Sequence, residues 1–196
     1  MSAPGVTFQL LDGQLLDGQF PDGQLTSGQS PARPPGGGHG GAGDGEYLAL
    51  RAEARQFRVW RRQPGFALAA ARHGDYLVGY ACGMPLRPST SWWRDLTAPV
   101  PEDVTAEHPG RTFALADLAV RASWRRQGIA TSLCRLLMDD RPEERATAMV
   151  PPDAAAAQRA FRNWGWRKVA RTRAPAPDAP TLDVLLVPLA SQDAPR

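Results

Sequence analysis

The amino-acid sequence predicts an α/β fold, a mixed and strongly twisted central sheet flanked by helices. Two observations lead to it. Residues 113–130, Phe-Ala-Leu-Ala-Asp-Leu-Ala-Val-Arg-Ala-Ser-Trp-Arg-Arg-Gln-Gly-Ile-Ala, read as a strand buried on both faces that turns abruptly into a helix through an Arg/Gly loop. Around it the periodic segments run strand, strand, strand, helix, strand, helix, strand, strand. With 196 residues and 42% hydrophobic content the chain is long enough for one domain with a substantial core.

The N-terminal part is unlike the rest. Gln9-Leu-Leu-Asp-Gly, Gln14-Leu-Leu-Asp-Gly, Gln19-Phe-Pro-Asp-Gly and Gln24-Leu-Thr-Ser-Gly are four tandem pentapeptides, a period that matches neither strand nor helix. A Gly/Pro-rich linker follows from Arg33 to Gly45. Residues 1–45 therefore read as an acidic, low-complexity tail ahead of a domain at 46–196. A second reading is open: Val6 to Leu10 alternates apolar and polar residues and supplies the first strand, with the repeats as an insertion after it.

From Glu46 the residues Tyr47, Leu48, Leu50, Ala54, Phe57 and Trp60 share one helical face, which ends before Pro64-Gly65. Residues 66–72 and 76–84 form a hairpin around His73-Gly74-Asp75. Residues 85–112 form a long loop carrying Trp92, Trp93, Glu107 and His108, and loops of that length in compact domains usually serve function. After the strand at 113–120, Leu133, Leu136 and Leu137 mark a helix from Thr131. A polar connection at 139–144 leads to a strand at 146–150 and a helix at 154–164. Strands near 167–172 and 181–187 end the domain.

Composition narrows the function classes. Cys82 and Cys134 stand far apart with no Cys-x-x-Cys pattern, so neither a disulfide framework nor a zinc site is signalled, and both read as core residues. No apolar run reaches the length of a membrane span, and no targeting segment opens the chain, which makes a cytoplasmic location the expectation. The net charge of +3 comes from 22 Arg and one Lys scattered against 20 acids, without a basic run or aromatic-interleaved patch, so nucleic acid is not an expected partner.

The loop at 121–130 points to an anion. The first turn of the helix leaves backbone N–H groups without partners, and the helix dipole adds to their pull on negative charge. Gly128 and Ala130 let an anion approach the backbone, and Arg125 and Arg126 can add charge-assisted hydrogen bonds. The pattern Val120-x-x-x-x-Arg125-x-x-Gly128-x-Ala130 resembles the acyl-CoA signature of the GNAT N-acetyltransferases. Ala157-Gln158-Arg159-Ala160-Phe161-Arg162-Asn163-Trp164-Gly165-Trp166 resembles that family's second motif on the CoA side, and the resemblance extends over about residues 47–190.

The resemblance implies the GNAT acyl-CoA fold and an N-acetyltransferase that moves an acetyl group from acetyl-CoA to a primary amine, on a small molecule or a protein, as a monomer or homodimer. It implies that the main chain of Leu118, Ala119 and Val120 pairs with the pantetheine arm. It also implies that the amides of Arg126, Gln127, Gly128, Ile129, Ala130 and Thr131 hold the pyrophosphate. The family often has a Tyr general acid where this chain has Phe161, and an Asn where it has Ala154. Phe161 then packs beside the pantetheine or in the core. These departures keep open an acyl-CoA-binding regulatory or interaction protein with little or no catalysis.

Asp117, the only ionisable residue within the strand, is the first candidate for general base; capping a neighbouring loop is its alternative role. Glu107 is the second choice of base, and His108 lies beside it. Trp92 and Trp93 either wall an acceptor pocket or form an apolar lid over the sheet.

Overall fold

A computed structural model describes residues 4–12, 56–173 and 180–189. The pentapeptides beyond Asp12, the linker and the start of the helix expected from Glu46 lie outside the described residues; residues 56–60 are helical. The strands are β1 (Val6–Asp12), β2 (Ala67–His73), β3 (Tyr76–Pro85), β4 (Thr112–Val120), β5 (Arg145–Val150), β6 (Arg167–Arg173) and β7 (Thr181–Pro188). Two helices, α1 (Ile129–Met138) and α2 (Ala155–Asn163), follow β4 and β5. The described residues form one sheet in the order β1-β2-β3-β4-β5-β7-β6. Among the neighbouring strands of the described residues, only the β4–β5 pair is parallel.

The strand anticipated at residues 6–10 spans Val6–Asp12 and pairs along its whole length with β2. Its alternating pattern is what an edge strand with one packed face requires.

Alternation divides the core between two faces. Ala67, Ala69 and Ala71 of β2 pack with Phe113, Leu115, Leu133, Leu137 and Phe161 on the side of α1 and α2. Leu68 and Ala70 point the other way, to Leu11, Phe66, Cys82 and Met84, with Phe57 and Trp60 laid against them. Small side chains along β2 let α1 lie close to the sheet, and the stripe Ile129, Leu133, Cys134, Leu137 is the face it buries. Burial pushes the Cys134 thiol up to about 12, as suits a small apolar core residue.

On the second face the long loop after β3 is a lid. Leu86, Trp93, Ala114, Val184 and Leu186 form a third cluster, with Trp92, Leu96 and Met149 packed against it. Leu96 bridges to Thr172 at the outer edge of β6, and Thr97 N donates to Arg171 O at 2.8 Å. This contact occupies part of an edge that would otherwise be open to pairing.

β4 is the irregular strand. Cys82 opposes Asp117 and Gly83 opposes Leu115, so Ala116 is an extra residue in a bulge. Gly83 makes room for it: a Cβ there would run into the Ala114 carbonyl and lie 2.6 Å from the Phe113 ring. Before the bulge the odd-numbered Phe113 and Leu115 face α1; after it the even-numbered Leu118 and Val120 do. Pairing of β4 with β5 stops at Leu115–Ala148, although β4 continues to Val120. The strand expected to be buried on both faces is so only over Thr112–Leu115; residues 116–120 are half-buried or exposed.

Candidate functional site

The site begins where β4 and β5 part. Arg121 N donates to Val78 O of β3 at 2.9 Å, so by strand alternation the backbone groups of Ala119 also face β3, and those of Leu118 and Val120 face the splay. The side-chain bonds agree with this. Leu118 N donates to Asp117 Oδ1 at 2.7 Å, and Arg125 Nε donates to Val120 O at 2.9 Å. Two main-chain groups on the edge expected to receive the pantetheine arm are thus engaged by neighbouring side chains.

Beyond Val120 the chain makes one turn of 3-10 helix, Ala122–Trp124, and enters α1 through two left-handed residues, Arg126 at φ 61° and Gly128 at φ 79°. Gly128 is the N-cap, with no side-chain hydrogen bond to the first turn. The helix therefore starts at Ile129, two residues before the sequence expectation, because a glycine can adopt that conformation without a Cβ clash. Arg125, Arg126, Gln127 and Gly128 are exposed and Ala130 and Thr131 half-buried, whereas Ile129 is buried.

The second motif braces this turn. Trp164 Nε1 donates to Thr131 Oγ1 at 3.2 Å, and Phe161 packs edge-on against Trp164 and Trp166 with centroids 5.3 and 5.0 Å apart. Of the two placements anticipated for Phe161, the structure shows the core.

Asp117 lies on the face opposite α1, and the bulge at Ala116 puts it there: unbroken alternation from Leu115 would have turned it towards the helix. Its Oδ2 accepts the Tyr80 hydroxyl at 2.5 Å while Oδ1 holds the Leu118 amide. Across the strand pair, burial first and then the Asp117 charge push the Cys82 thiol well above its ordinary value, against a smaller opposing effect of a backbone hydrogen bond. Tyr80 is the residue that sequence reasoning missed. Its signal was a phenol in an otherwise apolar strand, which needs a partner when buried.

Glu107 is placed elsewhere. Its Oε1 accepts Thr112 Oγ1 at 2.8 Å, Trp93 Nε1 at 3.0 Å and Arg145 Nη2 at 3.1 Å, and the side chain is 1% exposed. That is the opposite end of β4, five residues or roughly 17 Å from Asp117. The geometry makes Glu107 an anchor for the loop and does not bring it together with Asp117. His108 pairs with Glu144 at 3.3 Å on the surface, also away from the splay. Trp93 is a lid residue, 8% exposed within the third cluster. Trp92 donates to Thr147 Oγ1 at 3.3 Å, and Thr147 lies one pair below the Leu115–Ala148 pair that ends the ladder, so its indole is near the mouth of the splay.

A splayed parallel pair, a bulged strand presenting main-chain groups to the gap, and a glycine-capped helix below it define an acyl-CoA-dependent N-acyltransferase. The chain belongs to the Acetyltransferase (GNAT) family, matching it over residues 40–166.

Solved structures share the fold. The ribosomal-protein-S18-alanine N-acetyltransferase from Escherichia coli aligns with a TM-score of 0.56 at 13% identity, covering 97% of this chain and 99% of its own. A GNAT family acetyltransferase from Elizabethkingia anophelis, crystallised with acetyl-CoA bound, gives 0.55 at 11% identity over 95% and 100%. An IAA acetyltransferase from Bacillus cereus gives 0.57 at 10% identity over 94% and 99%. No curated protein matches the chain significantly. Among the described residues no helix is long and apolar enough to cross a membrane, and no group of three or more His, Cys, Asp or Glu could hold a metal.

Proposed function

We propose that the protein transfers an acetyl group from acetyl-CoA to a primary amine in one direct step, with Asp117 as general base. The observation that carries this reading is the adjacency at the splay of the Leu118 amide and the Asp117 carboxylate, 2.7 Å apart. One is a donor suited to a developing oxyanion; the other is a proton acceptor.

Acetyl-CoA fits the residues present. The unpaired edge at residues 116–120 can accept the pantetheine as an added strand through Leu118, Ala119 and Val120. The unpartnered amides at the start of α1, among Gly128, Ile129, Ala130 and Thr131, suit a pyrophosphate, with Arg125, Arg126 and Gln127 around it. In the reaction the amine nitrogen forms a bond to the acyl carbon as the carbon–sulfur bond breaks. Asp117 takes the proton lost by nitrogen, directly or through a water, and solvent protonates the departing thiolate. A CoA thiol with an unperturbed pKa of about 8.5 leaves without a dedicated acid, which is consistent with Phe161 in the core.

The acceptor is a small-molecule or protein amine that approaches from the Tyr80 and Asp117 face, bordered by Trp92. The test is thermal unfolding with and without acetyl-CoA, followed by thiol release across a panel of spermidine, phenethylamine and a peptide with a free N-terminus. Saturation at a hundred times Kd should stabilise the fold by about 2.7 kcal/mol. Absence of any shift would sink the cofactor assignment. A second reading, acyl-CoA binding without turnover, is favoured by the mutual pairing of Asp117 with the Leu118 amide and by the lack of a hydroxyl at Phe161. A clear shift with no thiol release on any amine would select it.

A further inference from the structure

Tyr80 and Asp117 are diagonal neighbours on one face of the β3–β4 pair: Tyr80 opposes Ala119, and Asp117 opposes Cys82. Their 2.5 Å hydrogen bond fixes one carboxylate oxygen, while the other is bound to the Leu118 amide. That amide is a single donor facing the splay, so it can serve Asp117 or an acyl carbonyl, but not both at full strength. We infer that Tyr80 is a positioning residue for acyl transfer: it holds Oδ2 of Asp117 as a pivot, so that an acyl carbonyl arriving at Leu118 displaces Oδ1 into the path of the amine.

The chemistry of the exchange explains why a pivot is needed. A carboxylate is a stronger acceptor than a neutral thioester carbonyl, so the carbonyl gains the amide only if the displaced oxygen stays solvated or bonded elsewhere. With Oδ2 on the Tyr80 hydroxyl, the carboxylate keeps one strong hydrogen bond while Oδ1 swings away from β4. The freed oxygen then lies next to a carbonyl polarised by the donor it has just released. Base and oxyanion donor satisfy each other when no acyl group is present, and separate when one is.

This inference rests on the proposed acyl-CoA reading, and the experiment separates the two. Calorimetry gives the affinities of CoA and acetyl-CoA for the full chain, for Asp117→Ala, for Tyr80→Phe and for the double variant. CoA has no acyl carbonyl to claim the Leu118 amide, so the ratio of the two affinities isolates the exchange. Asp117→Ala should raise the preference for acetyl-CoA about fivefold, the worth of one net hydrogen bond. Tyr80→Phe should instead lower it, because the carboxylate then loses the bond that lets Oδ1 leave the Leu118 amide, and the double variant should match Asp117→Ala alone. A purely structural role for Tyr80 would weaken or strengthen both ligands equally and leave the ratio unmoved. An unchanged ratio in Asp117→Ala, or a Tyr80→Phe effect that persists in the Asp117→Ala background, would overturn the inference. Asp117→Ala decides the displacement step even should Tyr80→Phe fold poorly. Failure of the unaltered chain to bind either ligand would instead remove the cofactor reading, and this inference with it.

Discussion

The indole of Trp93 donates to Glu107 Oε1 at 3.0 Å, pinning the long loop after β3 to the starting ends of β4 and β5, where Thr112 and Arg145 share the same oxygen. Removing the carboxylate takes the counter-charge from the Arg145 guanidinium, whose side chain is only 14% exposed and which is left with neutral acceptors, Thr112 Oγ1 and the Val104 carbonyl. Glu107→Ala is therefore expected to cost about 3–5 kcal/mol. Chemical denaturation measures that loss. Affinity for acetyl-CoA should stay within about twofold, because independent effects are the rule between sites so far apart; a large change would return Glu107 to the site.

Asp117→Asn keeps an acceptor for Tyr80 but cannot take a proton. Turnover on a competent amine should fall about a hundredfold while the folded state survives. Thiol release and a thermal scan on the same preparation check both halves. A variant with unaltered turnover would eliminate Asp117 as base.

Gly83→Ala pushes a methyl group against the Ala114 carbonyl and the Phe113 ring, neither of which can retreat from the middle of the sheet. We expect a loss of about 3 kcal/mol from overpacking. Turnover per folded molecule should fall too, since the bulge sets the phase that presents Asp117. Urea titration and thiol release report the two effects separately.

Gly128 sits at φ 79°, and any L-residue there pays roughly 1–2 kcal/mol of backbone strain. Gly128→Ala carries the strain alone. Gly128→Glu adds a carboxylate where the proposed pyrophosphate meets the helix N-terminus. Stabilisation by acetyl-CoA should be reduced in the first and absent in the second; equal shifts in both would argue against the phosphate position.

Asp183 of β7 is nearly buried, which opposes its ionisation, but hydrogen bonds from Lys168 at 2.6 Å and Arg171 at 3.0 Å outweigh this and hold its carboxyl below the ordinary 3.8. A depressed folded-state value contributes stability above the unfolded value and loses it as pH falls through the folded one. Stability of the unaltered chain should therefore decline more steeply below pH 3.8 than that of Asp183→Asn. Parallel acid-unfolding curves would contradict the role given to the Lys168 and Arg171 contacts.

How much of this was legible beforehand depends on whether a feature is local. The strand, loop and helix around Gly128 follow from apolar periodicity and one glycine, and their positions shifted by two residues or fewer. The alternation Val6 to Leu10 announced β1, although the repeat beginning at Gln9 pulled the same residues towards a low-complexity reading. Glu107 could not be placed from sequence, because its role comes from Thr112 and from Arg145, 38 residues away. The same holds for Asp117. Its side depends on a bulge whose only sequence trace is Gly83 inside an apolar strand, a signal that is easily read as loss of packing alone.

The participation of Val6–Asp12 in the sheet bears on how this chain can be shortened. A version starting at residue 46, which composition alone would recommend, leaves Ala67–His73 as a bare rim whose unpaired amides and carbonyls template self-association. It also follows that the sheet is sealed at that rim by residues separated from their partner strand by residues 13–66 of the chain. During folding, β1 must then reach β2 across a far longer chain closure than the hairpin of β2 and β3 requires, at a greater entropic cost.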